Sequence, residues 1–159
     1  MKFPARLWFC YVALLALGVV PLQAQRERLS PEDRDIVEKR WPKAKRTFTS
    51  LRYIILKAGD ANGESPEPGM IVKALYKGSL LNGKVFDENQ NPEKPLVVRL
   101  GRGNLIEGWE QALQMMHRGE KWLLIVPSEL AYGVLGRLPD IPHDSTLVFE
   151  LELLDFSKD

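Results

Sequence analysis

The sequence predicts an α+β domain: a twisted antiparallel sheet of about five strands with one short helix covering its apolar face. Three observations lead there. Beyond Ser50, apolar residues recur with a period of two in short runs separated by turn residues. Only one later segment, from Ile106 to His117, carries an apolar stripe at helical spacing, through Trp109, Ala112, Leu113 and Met116. No crossover helices separate the strands, which implies antiparallel pairing.

The elements follow in order. Leu51 to Lys57 reads as the first strand, and Gly59 to Gly69 as a turn-rich connection containing Asn62-Gly63. Met70 to Lys77 is the next strand, with Val72, Ala74 and Tyr76 on one face. Asn82-Gly83 is a hairpin turn. After Lys84 to Phe86 comes a loop from Asp87 to Lys94. A strand from Pro95 to Leu100 then alternates Leu96, Val98 and Leu100 against Val97 and Arg99. Gly119 stops the helix. Lys121 to Val126 is almost wholly apolar, and Thr146 to Leu154 alternates Leu147, Phe149, Leu151 and Leu153 against Val148, Glu150 and Glu152.

Two segments precede this domain. Residues 1–24 place Lys2 and Arg6 ahead of an apolar run from Leu7 to Val20, then Pro21 and Ala24, the layout of a secretory signal peptide. The run is short for a membrane span, so cleavage after Ala24 is the preferred reading, with an uncleaved anchor as the alternative. Either way the domain is expected outside the cytoplasm, periplasmic or secreted. Cys10, the only cysteine, leaves with the apolar run, so core packing without disulfides must hold the mature domain. Residues 25–50 form a charged lead-in. Ser30-Pro31-Glu32-Asp33 reads as an N-cap, a proline at the first helical position and acids in the first turn, and Pro42 ends the helix near Trp41. Ile36, Val37, Arg40 and Trp41 give it a weak apolar edge. A solvated segment docked loosely on the domain is the plainer expectation; a dimerising or client-contacting helix is the other.

At 159 residues there is room for one ordinary domain, over residues 51–159. Twenty-two basic residues against 21 acidic ones leave a net charge of +1, which argues against a nucleic-acid partner.

The chain's separated motifs are more specific than its composition. In order they are Tyr76-Lys-Gly78, Leu81-Asn-Gly-Lys-Val-Phe-Asp87, Leu100-Gly101, Leu105-Ile-Glu-Gly-Trp109, Met116-His-Arg-Gly-Glu-Lys121, Leu130-Ala-Tyr-Gly133, Ile141-Pro142 and Leu147-Val-Phe149. This series, over about Gly69 to Phe156, resembles the FKBP-type peptidyl-prolyl cis/trans isomerase domain.

The resemblance implies a sheet half-wrapped around the helix, with an apolar pocket between them for a proline ring. It implies Trp109 as the floor and Tyr76, Phe86, Leu105, Ile106 and Phe149 as walls. The Ile106 N–H would bond a substrate carbonyl, Asp87 and the Tyr132 hydroxyl would stand at the rim, and Ile141 would sit on an overhanging loop. Leu96 would be a substrate-binding wall where an aromatic residue is more usual, making the pocket shallower. Pro92 stands where an arginine often pairs with the acid at the position of Asp87. Arg137, Leu138, Pro139 and Asp140 fall in a variable stretch of the overhanging loop. Macrolides such as rapamycin are implied as inhibitors. Without the resemblance, Trp109 and Phe149 would read as core residues, Asp87 as a turn acid and Tyr132 as a loop aromatic.

Isomerisation breaks no covalent bond, so it requires neither nucleophile nor cofactor. The barrier of ~18 to 20 kcal/mol is the loss of amide resonance. A twisted amide is less polar than a planar one and is favoured by an apolar pocket with a few aimed donors. Rival chemistries lack support. Gly101-Arg-Gly103 has no βαβ context for a dinucleotide, His117 and His143 lack metal-ligand spacing, and Ser128 has no recognisable base. The function expected is a peptidyl-prolyl isomerase acting on proline-containing or partly unfolded polypeptides. The alternative is a peptide-binding chaperone module with little isomerase activity, although Trp109, Tyr132 and Asp87 are all retained.

Overall fold

A computed structural model describes residues 27–60 and 63–158; the expected signal peptide and Asn62 of the connection lie outside them. Ten elements follow one another. They are α1 (Pro31–Arg40), β1 (Lys45–Arg46), β2 (Arg52–Lys57), β3 (Ile71–Leu80), β4 (Val85–Asn89), β5 (Leu96–Arg99), α2 (Glu107–Met115), β6 (Lys121–Val126), a 3-10 turn (Ser128–Leu130) and β7 (Leu147–Ser157).

All strand pairs are antiparallel, in the order β1-β2-β6-β7-β3-β4. β5 pairs with the first half of β3 and β4 with the second, so the two share one edge of that strand. The α+β class thus holds, with seven strands rather than about five. Lys45–Arg46 is too short for a periodicity signal, and Val85–Asn89, read as Lys84 to Phe86 followed by a loop, is a strand of its own. Asp87, expected in a loop, lies within β4. The hairpin at Asn82-Gly83 forms as expected: Gly83 has φ +93°, and the Leu80 N–H donates to the Lys84 carbonyl at 2.9 Å.

The sheet buries residues on both faces. Leu124 belongs to the main core with Trp109, Leu113, Met116, Leu147, Phe149, Leu151 and Leu153, against which α2 packs its stripe. The next residue, Ile125, points the other way, as strand alternation requires, and packs with Leu29 and Val37.

Helix α1 therefore docks on the second face around Ile125. The Ser30 hydroxyl accepts from the Asp33 N–H at 3.1 Å, with Pro31 at the start of the helix. The loosely docked lead-in is corrected here: Val37 is fully buried, and polar contacts fasten the segment. Arg52 of β2, itself buried, places a guanidinium nitrogen 2.7 Å from Glu27 and 3.7 Å from Glu38. Thr146 donates to the Asp33 carboxylate at 2.6 Å, and Arg40 donates to the Leu81 carbonyl at 2.7 Å. The weak apolar edge understated the docking because the partners of these groups, Arg52, Leu81 and Thr146, come from distant parts of the chain.

Candidate active site

Between α2 and the inner face of the sheet lies a cavity of about 470 Å³. Its floor is the indole of Trp109, nearly buried in the first turn of α2. Three edge-on ring contacts shape it: Trp109 with Tyr76 at 5.1 Å between centroids, Trp109 with Phe149 at 5.3 Å, and Phe86 with Phe149 at 5.7 Å. Strand register produces this cluster. Gly78 of β3 lies opposite both Phe149 of β7 and Asp87 of β4. A Cβ at Gly78 would stand 2.7 Å from both the Phe149 and the Phe86 ring, so the missing side chain is the space those rings occupy.

Polar side chains also line the cavity, Asp87 and Tyr132 among them. Tyr76 donates its hydroxyl to Asp87 Oδ2 at 3.0 Å. Burial first, then this hydrogen bond and the carboxylate charge, push the Tyr76 hydroxyl up to about 12. In this contact a tyrosine of the neighbouring strand holds the Asp87 carboxylate. Across the mouth, an Arg137 guanidinium nitrogen lies 3.5 Å from the Tyr132 hydroxyl, above the same ring. Ile106 is the N-cap of α2. Its carbonyl accepts from the N–H groups of Trp109 and Glu110 at 3.0 and 3.2 Å, and its extended backbone brings residues 105 and 106 to the cavity.

The profile of the family described as FKBP-type peptidyl-prolyl cis-trans isomerase matches residues 62–154. This chain belongs to that family. Among curated relatives, the E. coli K12 protein named FKBP-type peptidyl-prolyl cis-trans isomerase FkpA is 43% identical over 111 residues, covering 70% of this chain and 39% of FkpA. Human peptidyl-prolyl cis-trans isomerase FKBP2 is 44% identical over 90 residues, covering 57% of this chain and 63% of FKBP2. The chain thus spans less than two thirds of the length of these relatives. Two crystal structures are also similar. FkpA from E. coli aligns with a TM-score of 0.70 and 39% identity, over 80% of this chain and 58% of FkpA. A peptidyl-prolyl cis-trans isomerase from Pseudomonas syringae aligns with a TM-score of 0.69 and 35% identity, over 80% of this chain and 92% of that one.

Within this FKBP-type domain, Tyr76, Phe86, Asp87, Leu96, Leu105, Ile106, Trp109, Tyr132 and Phe149 all line the one cavity. Ile141 does not. Its side chain is buried in the core, and its backbone pairs with Arg137 at the neck of the overhanging loop, so it anchors that loop from beneath.

Sequence reasoning missed five lining residues: Val98, Gly103, Asn104, Glu107 and Ala131. Val98 was legible, because it alternates with Leu96 on one strand face. The others come from loop and helix-start positions without periodicity. Among the described residues, the Trp109 indole N–H has no hydrogen-bond partner, and no group of His, Cys, Asp or Glu is placed to hold a metal ion.

Proposed function

We propose that this chain is a peptidyl-prolyl cis/trans isomerase acting on Xaa-Pro bonds of folding proteins outside the cytoplasm. The observation that carries this reading is the aromatic cavity itself, in which the rings of Trp109, Tyr76, Phe86 and Phe149 converge beside the polar side chains of Asp87 and Tyr132. A proline ring seated on Trp109 leaves the preceding amide between Phe86, Phe149 and Tyr76, where water is excluded and the twisted, less polar amide is favoured. The Ile106 N–H and the Tyr132 hydroxyl are donors for the flanking carbonyls, and Asp87 steadies Tyr76. Each tenfold acceleration requires lowering the barrier by about 1.4 kcal/mol, so desolvation with two or three oriented hydrogen bonds supplies a substantial rate without covalent chemistry.

Export rests on the layout of residues 1–24, with a periplasmic or secreted destination, or membrane anchoring if the segment is retained. No helix among the described residues is long and apolar enough to cross a membrane. Macrolides are proposed as inhibitors of the same cavity.

A protease-coupled isomer assay on short Xaa-Pro peptides tests the proposal. Acceleration that the macrolide abolishes is the expected result. Binding of unfolded chains with no acceleration would instead make the domain a chaperone module.

A further inference from the structure

Of the side chains that line the cavity, two are acidic, Asp87 and Glu107, and none is basic. Their circumstances differ. Asp87 accepts the Tyr76 hydroxyl at 3.0 Å, and the Arg137 guanidinium beside Tyr132 feels its charge. Glu107, exposed in the first turn of α2, makes no ion pair among the described residues. Arg102 neither lines the cavity nor pairs with it.

A chain of hydrogen bonds reaches Glu107 from outside the cavity. Gln111, one helical turn on, donates from Nε2 to Glu107 Oε1 at 3.0 Å. The Gln111 side-chain oxygen accepts the Thr49 hydroxyl. Thr49 has only that proton to give, so in its 2.9 Å contact with the Thr47 hydroxyl it is the acceptor. Donors therefore run one way, from Thr47 through Thr49 and Gln111 to Glu107. The turn that starts them is itself fixed: the Thr47 N–H donates to the Leu51 carbonyl at 2.9 Å, and the Ser50 N–H to the Thr47 carbonyl at 3.1 Å. With Oε1 held in this way, Oε2 has no hydrogen-bond partner among the described residues. A role at the helix start does not account for the arrangement. Glu110 shares the first turn, both its carboxylate oxygens lie 3.0 Å from the Gly101 nitrogen, and it does not line the cavity.

We propose that Glu107 is a specificity-determining residue of the cavity, favouring substrates with a lysine or arginine beside the prolyl bond, and that Gln111 and Thr49 position its carboxylate. The inference rests on the isomerase reading of that cavity. Glu107 directly follows Ile106, whose N–H is the donor for a carbonyl flanking the prolyl bond, so the two Cα atoms are about 3.8 Å apart. A cationic side chain next to that carbonyl meets a carboxylate with an unoccupied oxygen. An anionic one meets repulsion from Glu107 and from Asp87. A single exposed ion pair contributes modestly, so attraction and repulsion together give a preference of about fivefold for Lys over Glu.

The test compares the full chain with its Glu107→Gln, Glu107→Lys and Thr49→Val variants. The readout is kcat/KM, measured by protease-free NMR exchange on two peptide sets, with Lys, Gln or Glu immediately before proline or immediately after it. In at least one set the unsubstituted chain should turn over the Lys peptide about fivefold faster than the Glu peptide at about 10 mM salt, and the ratio should approach one at about 1 M. Glu107→Gln should lower the ratio at least twofold and Glu107→Lys should invert it. Thr49→Val should lower it as well, a charge-specific loss that a merely structural role would not produce. A ratio of one in both sets, or a ratio that Glu107→Gln leaves unchanged, would overturn the proposal. So would an equal loss on every peptide, which would make Glu107 a support of the Ile106 donor and not a selector of charge. An unchanged ratio in Thr49→Val would remove its positioning role. If the unsubstituted chain accelerates no peptide, the isomerase reading falls; Kd for the Lys and Glu peptides, read by NMR titration of the same chains, still decides Glu107.

Discussion

The Tyr76 hydroxyl and the Asp87 carboxylate meet at 3.0 Å across the β3–β4 pair, so the acid at the cavity mouth is oriented by a tyrosine that also forms a cavity wall. Wall and rim are therefore coupled. Altering either partner changes how the other is presented.

Because burial and Asp87 raise the Tyr76 hydroxyl above its ordinary value of 10 to about 12, the fold favours its neutral form. Its stabilising contribution is complete below pH 10 and is lost as the pH climbs through about 12. Spectrophotometric titration should show a tyrosinate step near 12 that disappears in Tyr76→Phe. The same variant should keep a native melt at neutral pH while turnover falls several-fold. A wild-type titration with no such late step would contradict the burial and hydrogen bonding of this hydroxyl.

Tyr132→Phe and Asp87→Ala each remove a rim group without opening the core, so turnover should drop several-fold with little change in Tm. Trp109→Ala removes a ring that is 5% exposed and should cost about 3 to 5 kcal/mol of stability as well as activity. Peptide kinetics beside circular dichroism melts separate the two behaviours. Full rates in both rim variants would remove Asp87 and Tyr132 from the site.

Leu96 lines the cavity with a branched aliphatic side chain. Leu96→Phe should add a few tens of Å² of apolar contact at about 25 cal/mol per Å², tightening macrolide binding by on the order of 1 kcal/mol. The rate advantage of bulky over small residues before proline should shrink, because less volume remains to be filled. Calorimetric titration with rapamycin, and kinetics on Leu-Pro, Ala-Pro and Glu-Pro peptides, read both effects. No change in either would make Leu96 a packing residue alone.

Glu27 fastens the lead-in. Burial alone would raise its carboxyl, but N–H groups of Leu29 and Arg28 and the Arg52 guanidinium hold it below its usual value of 4.5. A lowered carboxyl contributes its stability above 4.5 and loses it as the pH falls through the folded value. Mild acid, or Glu27→Gln at neutral pH, should therefore increase hydrogen exchange in α1 before the β6–β7 core opens. The substitution should cost about 1 to 3 kcal/mol, since it weakens a charged contact to the buried Arg52. Unaltered exchange in α1 would show that Val37 and Leu29 alone secure the helix.

By itself, the sequence determined the strand and helix periodicities, the Asn82-Gly83 hairpin, the Ser30 cap and the order of motifs that marks the family. These signals are local or survive as spaced residue types, so they can be read without knowing what packs against what. Only the tertiary structure decided which side chains share a surface. Register set Gly78 opposite Phe149, making the aromatic walls possible. Sheet pairing gave Asp87 a tyrosine partner, and the fold buried Ile141 while leaving Val134, Leu135 and Leu138 in solvent. Arg52 and Glu27, 25 residues apart, fastened a helix whose own apolar edge is thin. Such pairings depend on chain closure over long separations, which a periodicity of two or 3.6 residues does not encode.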